Sequence, residues 1–137
     1  MIAYLDASVL LRVVLGQGDQ LAEWRAVRVG VANALTEVEC LRTLDRLRLH
    51  GAAADEIAVR REAVHRLVER IELVEPTSVV LRRAAQPMPI PLGTLDAVHL
   101  ATALLWQETR DEDLVLATHD RALALAARAS GLHVIGV

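Results

Sequence analysis

The chain has 137 residues, enough for one domain that removes roughly two thirds of its unfolded surface from water. Hydrophobic residues make up 53% of it but aromatics only 2%, with no Phe, so the core must be aliphatic and aromatic platforms for stacking single-stranded bases are nearly absent. A net charge of −3 excludes a chain-wide basic field for polyanions, the lack of any Lys excludes Schiff-base and P-loop lysine chemistry, and a single cysteine excludes an internal disulfide.

Strand-like and helical patterns alternate along the chain. "MIAYL" reads as a strand, followed by a helix over about Ser8 to Leu15. Asp6 and Arg12 interrupt this apolar stretch and no basic region precedes it, so a signal peptide is not expected, and a reducing cytoplasm is the expected compartment. After "GQGD" a helix is expected from Leu21 to Arg28, then the strand "VRVGVAN" and a helix from Thr36 to Leu49. "GQGDQL" follows a helix and lacks a third glycine, so it is not a dinucleotide fingerprint. A charged amphipathic helix follows over Asp55 to Arg70, whose apolar side (Ile57, Val64, Leu67, Val68) suits either core or a partner. Next come the strand "IELVEP", a short helix from Ser78 to Ala85, the rigid proline loop "QPMPIPLG" and a helix from Thr94 to Trp106. The strand "LVLAT", a helix from Asp120 to Ala129 and the strand "HVIGV" complete the chain. Strands separated by helices predict a single α/β domain over residues 1–137, a parallel-sheet three-layer sandwich with helices on both faces. No uncharged run is long enough to span a membrane.

In open parallel sheets, ligands bind beyond the carboxyl ends of the strands, where the following helices start. Four acids occupy such places: Asp6 after "MIAYL", Glu39 in the helix after "VRVGVAN", Asp96 at the start of "TLDAVHLATALLW", and Asp120 after "LVLAT". Each also has a structural explanation. "TEVE" has the form of a capping box with Thr36 as N-cap, Asp6 and Asp120 suit N-caps, and Asp96 complements a helix N-terminus.

Jointly the four weigh differently, because a doubly wound sheet gathers those helix starts along one rim. Two unit charges about 4 Å apart repel by roughly 4 kcal/mol at an effective dielectric near 20, and a helix N-terminus relieves only about 0.3–1 kcal/mol. Protonation or a bound cation must supply the rest. Hard oxygen donors without a matching His or Cys set favour Mg²⁺ or Mn²⁺, and an acid-bound Mg²⁺ points to phosphodiester hydrolysis by an activated water.

"YLDASVLL", "ALTEVECLRTL", "TLDAVHLATAL" and "LATHDRALALAARASGLHVIGV" together resemble the PIN domain, in particular the VapC-type ribonuclease toxins of bacterial toxin–antitoxin pairs. The likeness covers nearly the whole chain in motif order. It implies that Asp6, Glu39, Asp96 and Asp120 are the metal-binding acids, that Thr118 supports them by hydrogen bonding, and that Ser8 is the small polar residue two positions after the first acid. It further implies Mg²⁺- or Mn²⁺-dependent RNA cleavage, homodimers, and a small antitoxin protein whose C-terminal segment covers the groove. Many relatives carry a basic residue just before "TLDA", where this chain has Gly93. Arg12, Arg42 and Arg121 are the remaining candidates to hold substrate phosphates.

His99 shares a helical face with Asp96, but the implied ligand set is carboxylate, so a buried, hydrogen-bonded histidine is expected there. His119 should point away from the site. Cys40 reads as a small buried hydrophobe, and Trp24 and Trp106 as core or interface. Two other functions compete: a PIN-like protein-binding module without activity, and a metal-dependent phosphatase of the haloacid-dehalogenase kind. The phosphatase chemistry requires a second Asp where Ser8 stands, and a lysine.

Overall fold

The computed structural model describes residues 1–137. Five strands, β1 (Ile2–Leu5), β2 (Val29–Asn33), β3 (Ile71–Val74), β4 (Val115–Ala117) and β5 (His133–Ile135), pair in parallel throughout, in the order β3-β2-β1-β4-β5. Six helices separate or flank them: α1 (Ala7–Val14), α2 (Leu35–Leu49), α3 (Ala54–Val68), α4 (Ser78–Ala84), α5 (Thr94–Arg110) and α6 (Arg121–Ala129). A central parallel strand is covered on both faces, which is why "IAYL" and "VGVAN" are almost uninterrupted apolar runs.

Strand alternation distributes those side chains between two cores. Ala3 and Leu5 point to one face and pack with Val9, Leu10 and Val14 of α1, Cys40 and Leu44 of α2, and Val64 of α3. Tyr4, Val31 and Leu116 point to the other and meet Leu100, Ala103 and Trp106 of α5 and Leu123, Ala126 and Ala127 of α6. The result is the expected three-layer sandwich. Val64, Leu67 and Val68 of α3 belong to the first core and Trp106 to the second, its indole Nε1 donating to Glu72 Oε1 at 3.1 Å, while Ile57 is also buried. Trp24 is half-buried against the first core. No helix is long and apolar enough to cross a membrane.

The structure differs from the sequence-based expectation in three helices. The helix expected over Leu21 to Arg28 is one 3-10 turn, Trp24–Ala26: Leu21, Trp24 and Val27 reach the first core, but the stretch is short and Ala22, Arg25, Ala26 and Arg28 are exposed, which is too little packing to sustain a longer helix. The capping box at Thr36 does not form either. Asn33 Oδ1 accepts the Leu35 amide at 2.9 Å, so α2 begins earlier with Ala34 as its N-cap, Thr36 falls inside the helix, and Glu39 is freed for other partners. The helix expected to end at Trp106 continues to Arg110, where Asp111 takes a left-handed conformation at its C-cap.

Close backbone approach fixes one glycine near the carboxyl end of the sheet. Gly136 has φ +98°, and a Cβ there would lie 2.5 Å from the Thr118 carbonyl oxygen. Strain at such a position is worth about 1–3 kcal/mol. Gly136→Ala is therefore expected to destabilise the protein by at least about that much in urea unfolding, and a midpoint and slope equal to wild type would show that the β4 and β5 ends can separate freely.

Candidate active site

The strand order places the topological switch beside β1: the first crossover leads outward to β2 and β3, and the chain then returns to β4 on the other side. At such a switch the connections diverge and a crevice opens beyond the strand ends. Asp6 is the first residue beyond β1, Asp120 the N-cap of α6 beyond β4, Glu39 lies one turn into α2 after β2, and Asp96 is in the first turn of α5. All four line one cleft of roughly 470 Å³, shared with Ser8, Arg42, Arg46 and the apolar Leu11, Leu35, Val38 and Leu95.

Each acid is held differently. Asp6 is buried, and its Oδ2 accepts the Ser8 hydroxyl at 2.6 Å and the Thr118 hydroxyl at 2.8 Å. Those hydroxyls in turn accept backbone amides of the β4–α6 turn, His119 N to Ser8 Oγ at 3.0 Å and Asp120 N to Thr118 Oγ1 at 2.9 Å. A carboxylate on one strand is thus tied through two hydroxyls to the loop that carries another acid. Asp120 Oδ1 caps α6 by accepting the Leu123 amide at 2.8 Å, which leaves its other oxygen uncommitted. Asp6 stands at the N-cap of α1 without a capping bond from its side chain.

Glu39 Oε1 meets His99 Nε2 at 2.5 Å. His99 is 1% exposed, and its Nδ1 meets the Tyr4 hydroxyl at 2.7 Å. Burial alone would lower the His99 pKa, but the hydrogen bond and charge of Glu39, with the charges of Asp6 and Asp96, outweigh it and the net shift is upward. The Tyr4 hydroxyl, desolvated by burial and close to Asp6 and Glu39, is held well above its ordinary range and stays protonated. Cys40 is buried and its thiol is pushed up to about 12, first by desolvation and then by Glu39, so it packs as a hydrophobe and is no nucleophile.

Asp96 is the acid with its pKa raised, first by desolvation, then by the charges of Asp120, Asp6 and Glu39, against a smaller opposing effect of His99. As the side chains lie, no three His, Cys, Asp or Glu groups are drawn close enough together to hold a metal ion. The donor set nonetheless fits a hard divalent cation: four carboxylates, no competing soft ligand at the cleft, and one acid whose ionisation is suppressed by burial and by the negative charge around it.

The arginines separate. Arg42 lines the cleft. Arg12 pairs with Asp19 at 2.6 Å and also bonds the Asp19 carbonyl, and neither it nor the exposed Arg121 borders the cleft. His119 Nδ1 bonds the Gly136 carbonyl at 2.7 Å, away from the carboxylates. Arg46, Tyr4 and Asn33 are participants that sequence patterns did not single out. Tyr4 alone carried a signal, as a phenol in an aliphatic strand that needs a buried partner.

The PIN domain family model matches residues 3–129. The chain belongs to the PIN domain family. Two curated relatives from Mycobacterium tuberculosis are similar over nearly their whole length: ribonuclease VapC46 is 31% identical across 96% of this chain and 95% of the relative, and ribonuclease VapC35 is 32% identical across 96% and 94%. Solved structures share the fold. PAE2754 from Pyrobaculum aerophilum superposes with a TM-score of 0.67 at 20% identity, covering 98% of this chain and 83% of that one. A toxin–antitoxin complex from Klebsiella pneumoniae gives 0.66 at 16% identity, covering 89% of each chain.

Two expectations follow from this PIN domain site. Thr118→Val removes a donor from Asp6 and leaves the Asp120 amide without a partner, and should cost about 1–3 kcal/mol in chemical denaturation; unchanged stability would show that water replaces the hydroxyl. Asp96 has the opposite sign. Its pKa is raised in the folded protein, so the stability attached to this group is present at low pH and is lost as pH rises from the ordinary value of 3.8 through the raised one. In chelator at pH 7, Asp96→Asn should therefore melt at or above the wild-type temperature, with the difference shrinking towards pH 4; a lower melting temperature would mean that the carboxylate serves the helix start.

Proposed function

We propose that this PIN domain protein is a divalent-metal-dependent endoribonuclease, the toxin of a type II toxin–antitoxin pair, with Mg²⁺ or Mn²⁺ held by Asp6, Glu39, Asp96 and Asp120. The single observation that carries the reading is that four acids from four separate segments line one cleft at the switch point of the sheet. Full-length likeness to relatives named ribonucleases supplies the substrate class. A bound divalent cation supplies a nucleophilic water and neutralises charge on the attacked phosphate.

The residues around it have their own tasks. Ser8 and Thr118 occupy Oδ2 of Asp6 and so leave Oδ1 for a cation. Asp120 keeps one oxygen for the helix and offers the other. Arg42, exposed on the wall, is placed to hold a phosphate of the strand, and Arg46 one turn further along α2 extends that edge. The hydroxyl of Ser8 also argues against the phosphatase alternative, because it stands where that chemistry needs a second acid and is itself bound to Asp6.

An antitoxin and a second copy of the chain are the proposed protein partners. Val38 and Leu95 are about half exposed at the edge of the cleft beside the acids, an apolar border suited to a protein segment lying across it. Structural neighbours include a VapBC2 complex from Rickettsia felis bound to a promoter DNA fragment, with a TM-score of 0.66 at 10% identity.

Purified protein should cleave RNA with Mg²⁺ or Mn²⁺ and stop in chelator. Asp6→Asn and Asp96→Asn should each lower the cleavage rate by about 100-fold or more, the scale of losing one preorganised electrostatic group, while circular dichroism stays unchanged. Cleavage by Asp96→Asn at the wild-type rate would overturn the assignment.

A further inference from the structure

One chain of buried polar groups in the protein is longer than packing requires. The Asn33 amide of β2 donates to the Tyr4 oxygen of β1 at 3.1 Å, the Tyr4 hydroxyl meets His99 Nδ1 of α5 at 2.7 Å, and His99 Nε2 meets Glu39 Oε1 of α2 at 2.5 Å. Tyr4 and His99 are shut off from solvent, and only the last member, Glu39, reaches the cleft. Both neighbours of the ring are met through one nitrogen each: in the neutral ring with Nδ1 accepting from the Tyr4 hydroxyl, and equally in the protonated ring, it is Nε2 that donates to Glu39. The edge-to-face contact between the two rings, with centroids 5.9 Å apart, holds the imidazole plane.

We propose that His99, locked by Tyr4, is a positioning residue that fixes Glu39 for cation binding. The inference rests on the reading of Glu39 as one of the metal-holding acids. A glutamate loses considerable rotamer freedom when it is fixed, and a free Glu39 on the wall of an open cleft would have to lose it at the moment of binding. Held at Oε1 by a ring that cannot turn, it presents Oε2 to the cleft in advance. The anchor also links two acids: Tyr4 and Asp6 are two residues apart on the same chain segment, so β1 sets the position of Asp6 directly and that of Glu39 through His99. A partner that orients a ligating side chain in this way is typically worth 10–100-fold in metal affinity.

The test is Mn²⁺ binding to the full chain by calorimetry, with folding followed by circular dichroism and thermal unfolding. His99→Leu should weaken Mn²⁺ binding by about 10- to 100-fold. His99→Gln, whose amide can still donate to Glu39, should lose less, and neither substitution should weaken binding further once Glu39→Gln is present. A folded His99→Leu that binds Mn²⁺ as tightly as wild type overturns the proposal, as does an equal loss in the Glu39→Gln background. If His99→Leu does not fold, Tyr4→Phe decides: severalfold weaker binding supports the anchor and unchanged affinity overturns it. Wild-type binding that is lost in Asp96→Asn yet indifferent to His99 sinks this inference alone. Wild-type protein with no affinity for Mn²⁺ sinks the metal-site reading and the anchor with it.

Discussion

Like charges gathered at the carboxyl ends of a parallel sheet are the constraint on which this molecule turns. Desolvating a carboxylate and placing others beside it both favour its neutral form, so a fold that collects four must give each an outlet. Three of them have one: Asp6 takes two hydroxyl donors, Asp120 a helix amide and Glu39 an imidazole. Asp96 has no comparable tie, and it is the acid whose pKa the structure raises. The hydrogen bonds do more than offset repulsion. By occupying one oxygen of each tied acid they leave the other without a protein partner on a residue that lines the cleft.

The fold was legible because its periodicities are simple. Five apolar runs separated by helical patterns give a parallel sheet, and the rule that ligands bind beyond strand ends points to Asp6, Glu39 and Asp120, while Asp96, at a helix start reached from the proline loop, joins them through its motif; the structure places all four on one cleft. What misled at the helix starts was local chemistry that a neighbour overrode. Thr36 and Glu39 have the spacing of a capping box, yet Asn33 captures the Leu35 amide first, so the helix starts before Thr36 can cap it. That displacement has a structural consequence, since a Glu39 engaged with its own helix start would not be available to His99.

The polar chain behind the site was not legible, for a physical reason. Tyr4 and His99 are 95 residues apart, and His99 and Glu39 are 60 apart. Nothing in the composition of either segment announces that the partner exists. A buried histidine that makes hydrogen bonds could be expected from the polarity of the ring alone, but the identity of its partners depends on which faces of α2 and α5 the sheet brings together. Asn33 is similar: it reads as the polar end of a strand, whereas its amide, its Oδ1 and its Nδ2 each hold a different element, Tyr4, Leu35 and Thr102. Such residues are found by asking where every buried donor goes once the layers are known.

The same reasoning sorts the arginines of a chain whose net charge is −3. An overall negative protein must present positive charge locally if it is to meet a polyanion. Arg12 is spent on the loop after α1, where one guanidinium nitrogen holds both the carboxylate and the carbonyl of Asp19 at 2.6 and 3.0 Å. Arg42 is the contrary case: its partner Asp45 is 3.5 Å away, shared with Arg48, and the guanidinium is largely exposed. Exposed pairs of that kind are weak and screened by solvent, so the Arg42 guanidinium is only loosely committed. Asp45, kept well ionised chiefly by its hydrogen bond to Arg48, retains a partner when Arg42 leaves. Position on the wall and weakness of the existing tie together distinguish Arg42, whose charge is available at the cleft, from Arg12, which is committed to the fold.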